Sequence, residues 1–288
     1  MRGRVCRCPD RTCRSLDCEV ERMTVEIGSG YTAGVEVRLP AIEVANVSKQ
    51  FRLESGEVVN SVNSVSFRVE PGEFICVIGP SGHGKSTLLN MIAGFIPPTD
   101  GTITVGGTPV TKPGPDRGVV FQRDTLFLWK TVAQNIEFGL SARGVPKSER
   151  KVIVAELLKI IGLEKFANAW PKQLSGGMRR RVAIAAVFAN KPEVLLMDEP
   201  FVGIDYLRLA QLHEVLLDLW QEGEKRAVFM VTHDIDEALT LADRIFVIKH
   251  GSLALDMRVD LPRPRRTDAI TGPAANQLRR QLLEEFSR

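Results

Sequence analysis

The run Gly79, Pro80, Ser81, Gly82, His83, Gly84, Lys85, Ser86, Thr87 contains the residue types that hold a polyphosphate. Gly79 and Gly84, with four residues between them and followed by lysine and serine, match the spacing of a phosphate-binding loop. Glycines let the backbone wrap closely around phosphates, and N–H groups at a helix start face the anion. Lys85 is the candidate for neutralising β- and γ-phosphate charge, and the Ser86 hydroxyl for ligating Mg²⁺; Thr87 can add a contact on the α-phosphate side. His83 reads as a neutral side chain tolerated by the loop rather than a base, because such loops act mainly through their backbone.

Four short apolar runs end in polar residues suited to the same chemistry. FICVI leads to Gly79, GVVF to Gln122, VLLM to Asp198 and AVFMVT to His233. Open α/β sheets bind ligands at the carboxyl ends of their strands. Asp198 there is suited to Mg²⁺, directly or through water, and Glu199 to orienting and deprotonating an attacking water. On its own an Asp-Glu pair is an ordinary strand-ending turn, but a phosphate loop in the same chain makes it chemical. LSGGM at 174–178 places Ser175, Gly176 and Gly177 before the basic stretch RRRVAIAAVF. That arrangement is either a glycine-rich helix start or a set of N–H groups offered to a phosphate held by another molecule.

The elements that must position these residues follow from the hydrophobic pattern. IEVANVSKQF and VVNSVNSVSFRV read as strands, and GTITVGGTPV as a hairpin. A helix is expected from Ser86 to Ala93, stopped by Gly94 and two prolines. Between about 123 and 178 helical periodicity dominates, as in KVIVAELLKIIGL, so this stretch reads as a helical insertion. Further helices are expected at 179–190, 207–222 and 235–242, and strands at 194–197, 227–232 and 244–249. Strand and helix alternating in this way imply an α/β fold: a P-loop core with a mostly parallel sheet, an antiparallel β subdomain and the helical insertion. The expected organisation is a tail at 1–40, one domain at 41–262 and a second tail at 263–288. In the second tail, Leu278, Leu282, Leu283 and Phe286 fit one amphipathic helix, while Arg263, Arg265 and Arg266 read as solvated, with contact to acidic lipid or a partner as the alternative.

Bulk properties narrow the partners. The chain has 288 residues, 44% hydrophobic and 25% charged, with a net charge of only +3, so nucleic acid is not expected. The longest apolar stretch, Val182–Ala189, is far short of the roughly 20 residues that span a bilayer. Work at a membrane would therefore mean docking onto a protein that crosses it. Cys6, Cys8, Cys13 and Cys18 crowd the N-terminus, but their spacing departs from zinc patterns, which favours a tail over a metal site. Residues 1–22 lack the apolar middle of a signal peptide and read as a tail, or as sequence upstream of a start at Met23.

Taken together, GPSGHGKST, LSGGM and VLLMDEP resemble the ATP-binding subunit of an ATP-binding-cassette (ABC) transporter, over roughly residues 42–260. The resemblance implies ATP and Mg²⁺ as ligands and a homodimer that closes on two ATP molecules. It implies Glu199 as catalytic base, His233 as a switch residue contacting the γ-phosphate, and Gln122 as a link from metal and water to the helical insertion. Ser175 and Gly177 would bind the γ-phosphate held by the opposite subunit. Asp205 in FVGID would help the subunits communicate, and Phe51 would stack on adenine unless it is an ordinary strand aromatic. Met178 stands where the family usually carries glutamine, which removes one polar contact. FQRDTLFLWKTVAQNIEFGL and DLPRPR are similar to the importer group for nitrate, sulfonate, taurine and related solutes, with Leu128 in place of a common proline. That group implies two membrane-spanning permease subunits, an external solute-binding protein and a peripheral place on the cytoplasmic face of the inner membrane. Phe127, Leu128 and Trp129 would meet a helix of the permease, or else form local core. The alternatives are an ABC ATPase for export or lipid release, or one acting on nucleic acid or the ribosome.

Overall fold

A computed structural model describes Arg22–Met23, Val35–Glu36 and residues 39–288 apart from 123–124, 205, 222–225, 266 and 288. The N-terminal cysteines lie outside the described residues. The chain divides into two compact units, Met1–Leu39 and Pro40–Arg288. In the first, β1 (Arg22–Met23) pairs antiparallel with β2 (Val35–Glu36).

The second unit holds two sheets. β3 (Ile42–Arg52) and β4 (Val58–Val69) form a long antiparallel hairpin, which β6 (Asp100–Val105) and β7 (Thr108–Pro109) extend in the order β4-β3-β6-β7. The larger sheet is built from β5 (Phe74–Ile78), β8 (Arg117–Val120), β9 (Val194–Asp198), β10 (Ala227–Val231), β11 (Arg244–Lys249) and β12 (Ser252–Arg258). Its order is β12-β11-β5-β10-β9-β8, parallel except for the β11–β12 hairpin. β5 sits near the middle with β10 on one side and β11 on the other, so the chain leaves it at a point where connections diverge.

Side chains alternate across a strand, and here the alternation feeds two cores. Phe74, Cys76 and Ile78 join Leu195, Met197, Val228 and Met230 in one core, which extends into the helical part. Ile75 and Val77 join Leu196, Phe229 and Val231 in the other, against the antiparallel sheet and α1 (Lys85–Ala93). Burial on both faces is why these strands read as unbroken apolar runs. The helical part comprises α2 (Val132–Ala142), α3 (Lys147–Ile160) and α4 (Gly176–Phe188), with short 3₁₀ turns at Glu164–Phe166 and Pro171–Gln173. Thr131 and Gln134 form a capping box on α2. α5 (Tyr206–Gln221) and α6 (Ile235–Leu241) follow β9 and β10.

Two expectations from sequence need correction. The helix after the glycine pair starts at Gly176 rather than Arg179, because Ser175 caps it and the glycines form its first turn. Residues 263–288 are not a solvated tail. α7 (Thr267–Thr271) and α8 (Pro273–Ser287) are helices, and Ala275 and Leu282 are fully buried, with Leu278 and Phe286 packed on the same core. Arg265 is buried and donates to the carbonyls of Leu239, Ala242, Val259 and Leu261. Burial, with Arg263 close by, lowers its pKa to about 10, which leaves it charged at neutral pH. Arg263 pairs with Asp243 at 2.8 Å and lies over the Trp220 ring. Leu282→Ala is expected to destabilise the protein by about 2–5 kcal/mol, since it empties a fully buried site. A urea midpoint unchanged from the parent chain would restore the tail reading.

Candidate functional site

The phosphate loop is pinned by β5 on one side and α1 on the other. Gly79 has φ 152°, and a Cβ there would lie 2.1 Å from the Ile248 carbonyl oxygen. Gly84 has φ 97°, and its Cβ would lie 2.2 Å from the Ser61 carbonyl oxygen. Both positions therefore demand glycine for conformation and for space. Gly84 is also the N-cap of α1 and supplies no side-chain acceptor. The first N–H groups of a helix have no partner within it, so those of α1 are open to an anion. The Lys85 ammonium donates to the Gly79 and Pro80 carbonyls at 2.8 and 2.9 Å. Its pKa is lowered by burial, against the pull of Glu199 and Asp198. A desolvated cation spanning the loop is well suited to phosphate oxygens.

His83 and Thr87 are both engaged by neighbouring elements. The His83 Nδ1 accepts from the His250 backbone N–H at 3.3 Å, and the two imidazoles lie 4.8 Å apart. Desolvation, then the charges of His250, Lys85 and Lys249, push the His83 pKa down. The Ser61 hydroxyl donates to the Thr87 hydroxyl oxygen at 2.9 Å, tying α1 to β4.

The carboxylates meet the loop from β9. The Ser86 hydroxyl donates to Asp198 Oδ1 at 3.0 Å. Burial is the main cause that raises the Asp198 pKa, reinforced by Glu199 and opposed by the Ser86 bond and Lys85. Glu199 has φ +45°, a left-handed backbone that is uncommon for a residue with a side chain. Its N–H is held by the Val231 carbonyl at 2.9 Å. One carboxylate oxygen accepts from Gln122 Nε2 at 3.1 Å, and the other lies 3.8 Å from His233 Nδ1. Lys85, Ser86, Gln122, Asp198, Glu199 and His233 are therefore brought together at one sheet edge. The grouping offers hard oxygen donors, a cation and a carboxylate flanked on both oxygens, a set suited to phosphoryl transfer to water.

Other residues named from sequence stand apart from this group. Ser175 caps α4, its hydroxyl oxygen accepting from the Met178 N–H at 3.3 Å. Among the described residues no hydrogen bond joins Ser175, Gly176 or Gly177 to loop 79–87. Phe51, next to the last residue of β3, is exposed, its ring 5.2 Å from the Lys49 ammonium. Asp205 lies outside the described residues. One important residue was not singled out from sequence. Arg180, buried on α4, donates to the Phe121 carbonyl at 2.6 Å and to the Pro200 carbonyl. Those carbonyls neighbour Gln122 and Glu199, so Arg180 ties the helical part to both. The only signal was an arginine in the helix after the glycine pair, between Arg179 and Arg181, which are both half-buried.

Fold and site together define a P-loop ATPase domain with a second, helical part. Residues 62–202 match the family model described as ABC transporter. The nitrate import ATP-binding protein NrtD of Synechocystis sp. is 44% identical over 228 residues, covering 78% of this chain and 85% of that protein. The taurine import ATP-binding protein TauB of Rhizobium johnstonii is 45% identical over 233 residues, covering 81% and 88%. Among solved structures, a dimeric post-hydrolysis state of the ATP-binding cassette MJ0796 bound to ADP and Pi has a TM-score of 0.67 at 32% identity, covering 76% of this chain and 98% of that one. The chain belongs to the ABC transporter ATP-binding family, and it is an ATPase.

The raised Asp198 pKa has a consequence for stability. A carboxyl whose folded pKa exceeds its unfolded value loses stability as pH rises from the unfolded pKa, about 4, to the folded one; the cost is full above the folded pKa and vanishes well below about pH 4, where both states are protonated. Asp198→Asn keeps an acceptor for Ser86 and removes the buried charge. Its expected effect is a higher thermal midpoint for the nucleotide-free protein at pH 7, with the gain shrinking to nothing at low pH. A lower midpoint at pH 7 would contradict the assigned electrostatics.

Proposed function

We propose that the chain is the motor subunit of an importer for nitrate, a sulfonate such as taurine, or a related small solute. It acts as a homodimer on two membrane-spanning permease subunits fed by an external binding protein, peripherally on the cytoplasmic face of the inner membrane. The observation that carries the motor reading is Glu199 flanked by Gln122 and His233 beside the Ser86–Asp198 pair. The import reading is supported by relatives named for nitrate and taurine import. No helix among the described residues is long and apolar enough to cross a membrane, in keeping with docking onto permeases.

The Ser86 hydroxyl and the Asp198 carboxylate, 3.0 Å apart, fit Mg²⁺, which takes hard oxygen ligands and keeps several waters. When bound, the ion offsets charge on the β- and γ-phosphate oxygens. Loop 79–84 and the α1 N-terminus hold the phosphates through backbone N–H groups, Lys85 supplies positive charge, and Thr87 lies on the α-phosphate side. Phe51 offers a flat exposed face to adenine. Glu199 takes a proton from water as its oxygen bonds to the γ-phosphorus and the bond to the β–γ bridging oxygen breaks, giving ADP and phosphate. Gln122 orients that carboxylate from one oxygen, and His233 braces it from the other. Ser175, Gly176 and Gly177 of the second copy bind the γ-phosphate, and Asp205 helps the two copies communicate. A site split between two copies explains why the glycine turn stands apart within one chain.

Trp129 and Leu128 are 71% and 65% exposed, which favours the permease as their partner over local core. Phe127 packs on Phe138 at 4.5 Å beneath them, and buried Asn135 fixes the loop through the carbonyls of Phe127, Lys130 and Thr131.

Glu199→Gln is expected to keep ATP binding, to lower hydrolysis by at least about 100-fold, and to elute as a stable dimer with ATP. Unchanged steady-state hydrolysis would remove Glu199 as the base. Purification of the tagged chain from native membranes in mild detergent tests the transport reading. Recovery of a polytopic permease supports it, and recovery of ribosomal or DNA-repair proteins alone would overturn it while leaving the ATPase intact.

A further inference from the structure

His233 has little to hold its side chain. It is 63% exposed, and its nearest charged partner, Glu199, lies 3.8 Å away. Its position must therefore come from its backbone, which runs directly into α6. Asp234 caps that helix by accepting from the N–H groups of Asp236 and Glu237, and Thr232 is anchored to Val77 in β5. α6 has only 7 residues, too few to hold a helix unaided. Its inner face is mostly apolar, with Ala238, Leu239 and Leu241 fully buried, and it carries one buried polar contact, Glu237 beside His213 Nε2 at 3.4 Å. Apolar contact is non-directional and resists axial sliding weakly.

The C-terminal segment adds directional contacts at both ends of α6. At the carboxyl end, Arg265 donates to the Leu239 and Ala242 carbonyls, and Arg263 to the Leu241 carbonyl. These are the carbonyls a helix end leaves unmatched, and a cation there complements the helix dipole. At the amino end, Arg279 of α8 donates to Asp236 Oδ1 through Nε at 2.9 Å and also through Nη2. Arg279 is itself fixed by the Ile270 carbonyl at 3.0 Å and by Asn276, and α8 is seated by buried Leu282. Asp236 stands three residues after His233. The far end of α8 reaches the loop side, where Lys249 donates to the Glu285 carbonyl at 2.8 Å, next to the His250 that contacts His83.

We propose that the C-terminal segment 263–287 is a positioning element for the hydrolytic switch, and that Arg279, through Asp236 and α6, sets where His233 stands relative to Glu199. The inference rests on His233 acting in hydrolysis as proposed above. Arg279 contacts Asp236 and not Glu199 or the phosphate loop, so its loss should act on turnover and not on ATP binding.

The test is steady-state ATP hydrolysis by the full chain, with thermal unfolding measured on each variant. Arg279→Ala is expected to lower kcat about 10-fold, in line with the sensitivity of rate to sub-ångström misplacement, while KM for ATP changes by less than about twofold. Arg279→Lys restores a cation and should recover most of the loss, and Asp236→Asn should reproduce it from the other side of the pair. In a His233→Ala background, Arg279→Ala should lower kcat no further, because the residue it positions is gone. An equal loss in that background, a rise in KM alone, or an unchanged kcat in both Arg279→Ala and Asp236→Asn would overturn the proposal. If His233→Ala by itself hydrolyses ATP at the parent rate, the role of His233 fails first and separately. Should Arg279→Ala fold poorly, Arg279→Lys and Asp236→Asn carry the same comparison.

Discussion

The register of four parallel strands is the constraint on which the site depends. Val77 of β5 pairs with Val231 of β10, Val231 with Asp198 of β9, and Met197 with Val120 of β8. The strands therefore end level with one another. Gly79, Gln122, Glu199 and His233 emerge within a residue or two of those ends. A slip of one residue would turn every side chain to the opposite face. Here it would push Cys76 and Ile78 out of one core and Ile75 and Val77 out of the other. Apolar burial on both faces thus fixes the position of polar groups that contribute nothing to that burial.

The site itself works against stability. Lys85 is desolvated and its pKa falls, while the Asp198 carboxyl is desolvated and its pKa rises. Glu199 sits at φ +45°, a backbone region costing on the order of 1–3 kcal/mol for a residue with a side chain. These features are unfavourable in the nucleotide-free chain and favourable for a polyphosphate with its metal. Phosphate oxygens would match Lys85 and the open N–H groups, and the divalent cation proposed above would match Asp198. The left-handed turn at Glu199 carries the chain away from β9 so that both carboxylate oxygens face polar partners. Binding energy is thereby reserved for the ligand instead of being spent in the empty fold.

What could be read from sequence was what is local. The phosphate loop, the strand-ending carboxylates and the helical insertion each lie in a short window whose pattern states its geometry. The C-terminal segment was misread because its partners are distant in sequence and many of them are main-chain oxygens. Arg263 and Arg265 bind main-chain carbonyls of α6 and its flanks, and any residue supplies a carbonyl. The apolar spacing of Leu278, Leu282 and Phe286 announced an amphipathic helix, but not the core that receives it. The strand β12 was passed over because its alternating Leu253, Leu255 and Met257 lie on an edge, between a polar turn and a proline-rich stretch. Arg180 was hidden in the same way, as one arginine of three whose acceptors are again main-chain oxygens.

Arg180 also shows how two parts of one domain can report to each other. It grows from α4, whose first turn carries Ser175, Gly176 and Gly177, and it grips the carbonyls of Phe121 and Pro200. Gln122 follows the first of those carbonyls and Glu199 precedes the second residue, while Gln122 and Glu199 are bonded to each other. A buried guanidinium with two main-chain acceptors has few alternative arrangements, because leaving any donor unmatched inside the protein is costly. A shift of α4 large enough to reseat its glycine turn must therefore also move the residues around the Glu199 carboxylate. Mechanical linkage of this kind needs no long pathway. It follows from one planar cation whose partners lie on both strand ends that frame the Glu199 carboxylate.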